Sequence, residues 1–139
     1  MALGSRDSYI YIYNVLESGR AFSRLGKCSG HSSSVLHIDW SVDGDYLRSC
    51  SADYELLFWT PGNCRQLAAA STLRDVSWST SSCTLGFQVA GIWQEGADGT
   101  DVNAASCSNG ASLLATADDF GKVNLFRFPA YQPRVSDTL

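Results

Sequence analysis

Gly30-His31-Ser32-Ser33-Ser34-Val35-Leu36-His37-Ile38-Asp39-Trp40-Ser41-Val42-Asp43-Gly44-Asp45-Tyr46-Leu47-Arg48-Ser49-Cys50-Ser51-Ala52-Asp53-Tyr54-Glu55-Leu56-Leu57-Phe58-Trp59 is the stretch whose reading decides the fold. It holds three short segments rich in branched and aromatic residues: Val35 to Trp40, Tyr46 to Ser49, and Glu55 to Trp59. Ser41-Val42-Asp43-Gly44 separates the first two, and Asp53 punctuates the approach to the third. Segments of this length and composition, bounded by Ser, Asp and Gly, predict strands joined by tight turns. Working outward, Tyr9 to Tyr13 alternates, and in Lys122 to Phe128 Val123 and Leu125 face one way while Asn124, Phe126 and Phe128 face the other. No window keeps a helical apolar stripe for three turns without a Gly or Ser cluster breaking it. The fold class expected is all-β.

The pattern repeats. Asp7-Ser8-Tyr9-Ile10-Tyr11-Ile12-Tyr13 aligns with Asp53-Tyr54-Glu55-Leu56-Leu57-Phe58-Trp59, an Asp in a turn followed by a strand that ends in an aromatic six residues on. Asp119-Phe120-Gly121-Lys122-Val123-Asn124-Leu125-Phe126 is a third copy with one extra residue. From Asp7 to Asp53 is 46 residues, close to a four-stranded propeller blade, and from Asp53 to Asp119 is 66, a blade plus an insertion of about twenty.

Composition narrows the function classes. The 139 residues are 45% hydrophobic, enough to fill a core, and only 17% charged. A net charge of −4 and a pI of about 4.9 argue against nucleic-acid binding and against a basic membrane-surface patch. The longest apolar run, Tyr9 to Tyr13, falls far short of a membrane span, and the first residues lack the pattern of a secretory signal. Cys28, Cys50, Cys64, Cys83 and Cys107 contain no CxxC pair, which predicts buried, reduced thiols in an intracellular protein. Cys28 with His31 and His37 does not make up four zinc ligands at a recognisable spacing, nor a base-oriented nucleophile. Asp98-Gly99-Thr100-Asp101-Val102-Asn103 lacks the closing Glu of a calcium loop, and no phosphate-cradling glycine motif occurs. No catalytic residue, cofactor, metal or small-molecule substrate is therefore expected.

The opening stretch resembles the WD40 repeat, with Phe58-Trp59-Thr60 where that family usually carries its Trp-Asp pair. The resemblance implies a structural tetrad: His31 before the first strand, Ser49 on the second, Asp53 in the tight turn and Trp59 on the third. The residue types suit it, because a buried imidazole needs a partner for each nitrogen and a carboxylate and a hydroxyl supply them. The first copy has no Gly-His pair. The third has no His, and Ala115-Thr116 stands where Ser is expected.

Arg74-Asp75-Val76-Ser77-Trp78, Cys83-Thr84-Leu85-Gly86-Phe87, Gly91-Ile92-Trp93, Glu95 to Asn103 and Asp118-Asp119-Phe120-Gly121-Lys122-Val123 together resemble the echinoderm microtubule-associated protein-like family over about residues 4 to 134. That resemblance implies WD40-type β-propeller blades: about three antiparallel four-stranded blades forming an open arc, an incomplete propeller. The expected divisions are residues 1–29, the end of one blade; 30–73, a complete blade; 74–100, a family-specific insertion forming an extra hairpin; 101–134, a degenerate blade; and 135–139, a divergent tail. The chain is expected to be a fragment or truncated isoform, since it carries no coiled coil or basic region.

The implied function is a non-catalytic interaction module for tubulin or microtubules, in the cytoplasm and on the microtubule cytoskeleton, the spindle included. Its other expected partner is the remaining blades of the parent propeller. A WD40 scaffold docking a kinase or an adaptor is the alternative. The region from Arg74 to Asn103 supplies the candidate partner-binding residues Arg74, Trp93, Glu95, Asp98 and Asp101; Trp93 reads either as a buried hairpin residue or, if exposed, as an aromatic anchor.

Overall fold

Alternation in Ile10-Tyr11-Ile12-Tyr13 sets the first sheet, because it gives that strand one aliphatic and one phenolic face. The computed structural model describes residues 1–93, 101–132 and 137–138. It divides the chain into two units, Met1–Ser79 and Thr80–Leu139.

In the first unit β1 (Ala2–Gly4), β2 (Ile10–Leu16) and β3 (Ala21–Cys28) form a three-stranded antiparallel sheet in the order β1-β2-β3. Ile10 and Ile12 are fully buried on one face, while Tyr9 and Tyr11 on the other lie against Lys27 and Arg24 of β3, at 4.0 and 5.0 Å. The hairpin closes through Glu17, Ser18 and Gly19, all three with positive φ.

Next come β4 (Val35–Trp40), β5 (Leu47–Ser51), β6 (Leu56–Thr60) and β7 (Arg65–Gln66), an antiparallel meander in sequence order. The β4–β5 turn forms because Asp43 accepts from the Ser41 hydroxyl (2.6 Å) and the Asp45 amide (3.0 Å), with Gly44 at φ 79°. All five residues of β5 are buried, so this strand is covered on both faces. One face joins a core of Ile10, Ile12, Cys28, Val35, Leu47 and Trp59, built from both sheets. At about 25 cal/mol per Å² of apolar surface, such burial is the main force holding the two sheets together.

The second unit carries β8 (Val102–Cys107), β9 (Leu113–Asp118), β10 (Val123–Arg127) and β11 (Asp137–Thr138), hydrogen-bonded in the order β11-β10-β9-β8. Its core is Val89, Ile92, Leu114, Phe126 and Ala130. Phe126 is buried on the face that also carries Phe128, as alternation along β10 predicts. Strand pairing reaches into residues 137–138, which the sequence suggested were a divergent tail.

The extra hairpin expected over 74–100 is not formed by the described residues 74–93. Trp78 makes a single bridge to Ser41, and Phe87–Ile92 coils into 3₁₀ turns that send Val89 and Ile92 into the core. Serines at 77, 79, 81 and 82, with glycines at 86 and 91, leave no pair of alternating runs to zip together. Among the described residues all five cysteines are free thiols; Cys28, Cys50 and Cys83 are buried, and Cys64 and Cys107 are half-exposed. No helix among the described residues is long and apolar enough to cross a membrane.

Candidate functional site

Four side chains that the sequence scatters over 29 positions meet inside the first unit. His31 follows Gly30, where an added Cβ would come within 2.9 Å of the Trp59 ring and 2.7 Å of the Gln66 side chain. Only a glycine lets the chain pass this close over the indole and deliver the imidazole beside it. Strand β5 supplies Ser49, fully buried, and β6 supplies Trp59, which stands opposite Leu47 and on the same face as Ser49. The Asp53 turn, with Tyr54 at φ 62°, brings the carboxylate over the ring.

The Trp59 indole N–H donates to Ser49 Oγ at 2.8 Å. Ser49 Oγ lies 2.7 Å from His31 Nε2, and Asp53 Oδ2 lies 2.9 Å from His31 Nδ1. A carboxylate only accepts, so Nδ1 carries the proton; Nε2 then accepts from the Ser49 hydroxyl, which in turn accepts from the indole. The result is a one-way chain of donors running Trp59, Ser49, His31, Asp53. Asp53 also accepts from the Ser32 amide (3.0 Å) and the Glu55 amide (2.8 Å). Burial pushes its carboxyl up, but the bonds from Glu55, Ser32 and His31 outweigh that and hold it below the ordinary carboxylate range.

His31, Asp53 and Glu55 place three potential ligand atoms within 4.8 Å of one another. Both imidazole nitrogens already have protein partners, so a cation here would have to break the chain of bonds. The arrangement holds strands and turn together, with the Ser49 hydroxyl fully buried between the Trp59 indole and the His31 imidazole.

A second polar cluster, which sequence reasoning missed, lies on the other face of β5. Arg48 Nε donates to Asp39 Oδ2 at 2.9 Å, with Asp39 fully buried, and its guanidinium carbon lies 4.6 Å from the Trp78 ring centre. Trp78 also packs on Phe58 at 5.9 Å between ring centres. Asp39, Arg48 and Phe58 are successive cross-strand partners. Opposite charges at facing positions of two strands are a signal available in the sequence, but only once the register is known.

The third repeat solves the missing histidine differently. Asp119, at the position of Asp53, accepts from the Asn103 side-chain amide (2.6 Å) and the Asp101 backbone amide (3.2 Å), as Asp53 accepts from His31 and the Ser32 amide. Buried Thr116 occupies β9 much as Ser49 occupies β5.

The candidate partner-binding residues separate. Arg74 is exposed in the first unit. Trp93, in the second, lies nearer the buried of its two readings: it is half-buried against Val89, Ile92 and their neighbours, and its indole N–H donates to the Thr84 carbonyl at 2.7 Å. Asp101 is half-buried and uses its backbone to hold the Asp119 turn. Glu95 and Asp98 lie outside the described residues.

Comparison with known proteins gives these sites a family. The profile of the echinoderm microtubule-associated protein second β-propeller matches residues 1–137. The 77 kDa echinoderm microtubule-associated protein of Strongylocentrotus purpuratus is 54% identical over 138 residues, covering 99% of this chain and 20% of the relative. Human echinoderm microtubule-associated protein-like 2 and protein-like 1 are each 53% identical over 134 residues, 96% of this chain, which covers 21% and 16% of them. The chain thus spans about a fifth of the length of the curated relatives it matches. By its sheets and by a match running through nearly all of its residues, it belongs to the echinoderm microtubule-associated proteins, in their second β-propeller.

Proposed function

We propose that this chain serves as a non-catalytic interaction module of a microtubule-associated protein, contributing contacts to tubulin or to the microtubule lattice. The observation that carries this reading is the match of residues 1–137 to a propeller of microtubule-associated proteins. The burial of Ser49 supports the non-catalytic part, because a hydroxyl with no exposure and with the Trp59 indole and the His31 ring as its partners is closed to a substrate. The remaining blades of the parent propeller are its structural partners, and the cytoplasmic microtubule cytoskeleton, spindle included, is its place of action.

A chain of net charge −4 gains nothing from long-range attraction to an acidic partner such as tubulin. Its contacts are short-range, with weak salt dependence. The test is co-sedimentation of the complete second propeller with tubulin and with assembled microtubules across a salt series. Binding that varies little with salt is expected. No binding by the complete propeller would overturn the module reading, and binding that rises steeply as salt falls would overturn the short-range mechanism.

A further inference from the structure

Cys28 and Cys64 are 36 positions apart in sequence and share one hollow in the first unit. Cys28 ends β3 and is 1% exposed. Cys64 sits in the turn between β6 and β7 with φ 54°, half-buried against the core that contains Cys28. Both belong to one packed cluster, and the two thiols are near enough to influence each other. The space between the strands is made by Gly26: an added Cβ there would stand 2.6 Å from Cys64 Sγ. Gly26 and Cys28 are two apart on one strand and share a face, so the Cys64 sulfur rests on the glycine and beside the Cys28 sulfur. The Cys64 thiol also reaches the Pro61 carbonyl over a long 3.9 Å.

We infer that Cys28 and Cys64 form an oxidant-reactive modification site, closing to a disulfide that ties β3 of the first sheet to the β6–β7 turn of the second. Hydrogen peroxide is the oxidant class that fits. The half-exposed Cys64 sulfur attacks a peroxide oxygen, the O–O bond breaks, and Cys64 becomes a sulfenic acid with release of one water. The Cys28 sulfur then attacks the Cys64 sulfur, the S–S bond forms, and the hydroxyl leaves as a second water carrying the Cys28 proton. Two thiols lose two electrons and peroxide gains them. The division of labour follows from exposure: solvent reaches Cys64, while Cys28 is shielded and waits behind it. Burial, then the neighbouring Cys64 thiol, pushes the Cys28 thiol up to about 12, so Cys28 stays a neutral thiol and leaves the first reaction with peroxide to Cys64.

The test uses the whole chain, treated with hydrogen peroxide, alkylated with N-ethylmaleimide, digested, and examined by mass spectrometry. The expected product is a peptide pair joined through Cys28 and Cys64, two hydrogens lighter than its parts and separated by dithiothreitol. The melting midpoint of the oxidised chain should rise by roughly 5–10 °C, because the bridge closes a long loop. In Cys64→Ser the bridge should vanish and Cys28 stay reduced. In Cys28→Ser the Cys64 sulfur should pass on to sulfinic acid, and this variant keeps the test decisive if Cys64→Ser folds poorly. Recovery of both cysteines as alkylated thiols, under conditions where half-exposed Cys107 is oxidised, would overturn the inference, as would bridging of either one to a different cysteine.

Discussion

Replacing Ser49 by alanine removes one oxygen atom and leaves two buried groups without a partner. The Trp59 indole N–H loses its acceptor at 2.8 Å, with Trp59 1% exposed, and His31 Nε2 loses its donor at 2.7 Å, with His31 6% exposed. An unsatisfied buried polar group costs about 1–3 kcal/mol, so the simple sum is about 2–6 kcal/mol. Both bonds share one hydroxyl and polarise each other, and the alanine methyl is cheaper to bury than the hydroxyl; the expected loss is therefore about 2–4 kcal/mol. Urea unfolding followed by tryptophan fluorescence measures it directly. Ser23→Ala, on an exposed part of β3, is the control and should stay within about 0.5 kcal/mol of the parent. Trp59→Phe in the same assay completes a double-mutant cycle, with an expected coupling to Ser49→Ala of about 0.5–3 kcal/mol. A Ser49→Ala chain as stable as the control, or a coupling energy near zero, would refute the role assigned to this oxygen.

The remaining predictions follow from other contacts. Arg48→Met strips fully buried Asp39 of its guanidinium and should cost about 3–5 kcal/mol by chemical denaturation, while Asp39→Leu combined with Arg48→Met should recover most of that loss. The Asp53 carboxyl is held below its ordinary value in the folded chain, so the folded state binds its proton less readily than the unfolded one. Its contribution is present above the unfolded value of about 3.9 and is lost as pH falls through the folded value. Melting midpoints of Asp53→Asn below about pH 4 should therefore fall less steeply than those of the parent, with a residual slope from Asp7 and Asp43, whose carboxyls are lowered by bonds from Tyr11 and Ser41. Leu114→Ala should cost about 2–5 kcal/mol and act on the second unit, seen as loss of amide-exchange protection in β8 to β10. Exposed Leu3, Val15, Leu16, Phe22 and Leu25 crowd the first sheet, so the isolated chain should self-associate as its concentration rises; light scattering that reports a monomer throughout would count against this.

How far the sequence could be followed depended on the kind of information each feature needs. His31, Ser49, Asp53 and Trp59 were legible through the resemblance to the WD40 repeat, which implies the tetrad, and their residue types suit a buried imidazole that needs a partner for each nitrogen. The Arg48–Asp39–Trp78 cluster was not, because it depends on which residues face each other across two strands. A register shift between Val35 and His37 defeats simple counting there. Asn103 escaped notice because the third repeat changes residue type and shortens the separation, 16 positions to Asp119 against 22 from His31 to Asp53. Trp93 stayed open between an exposed anchor and a buried residue for a different reason. An aromatic in a polar, glycine-rich stretch carries no burial signal of its own; Val89 and Ile92 turn inward beside it and take it along.

The three aspartate turns accept from different donors: the Tyr11 hydroxyl at Asp7, the His31 imidazole at Asp53 and the Asn103 amide at Asp119. The carboxylate behaves as a socket and the donor as an interchangeable plug. Each corner of the molecule can thus be secured while the strand that supplies the plug drifts in chemistry, length and starting point. A histidine grafted at position 103 or an asparagine at position 31 would show how far apart the two fittings have grown, since only the imidazole has a second nitrogen with which to reach inward.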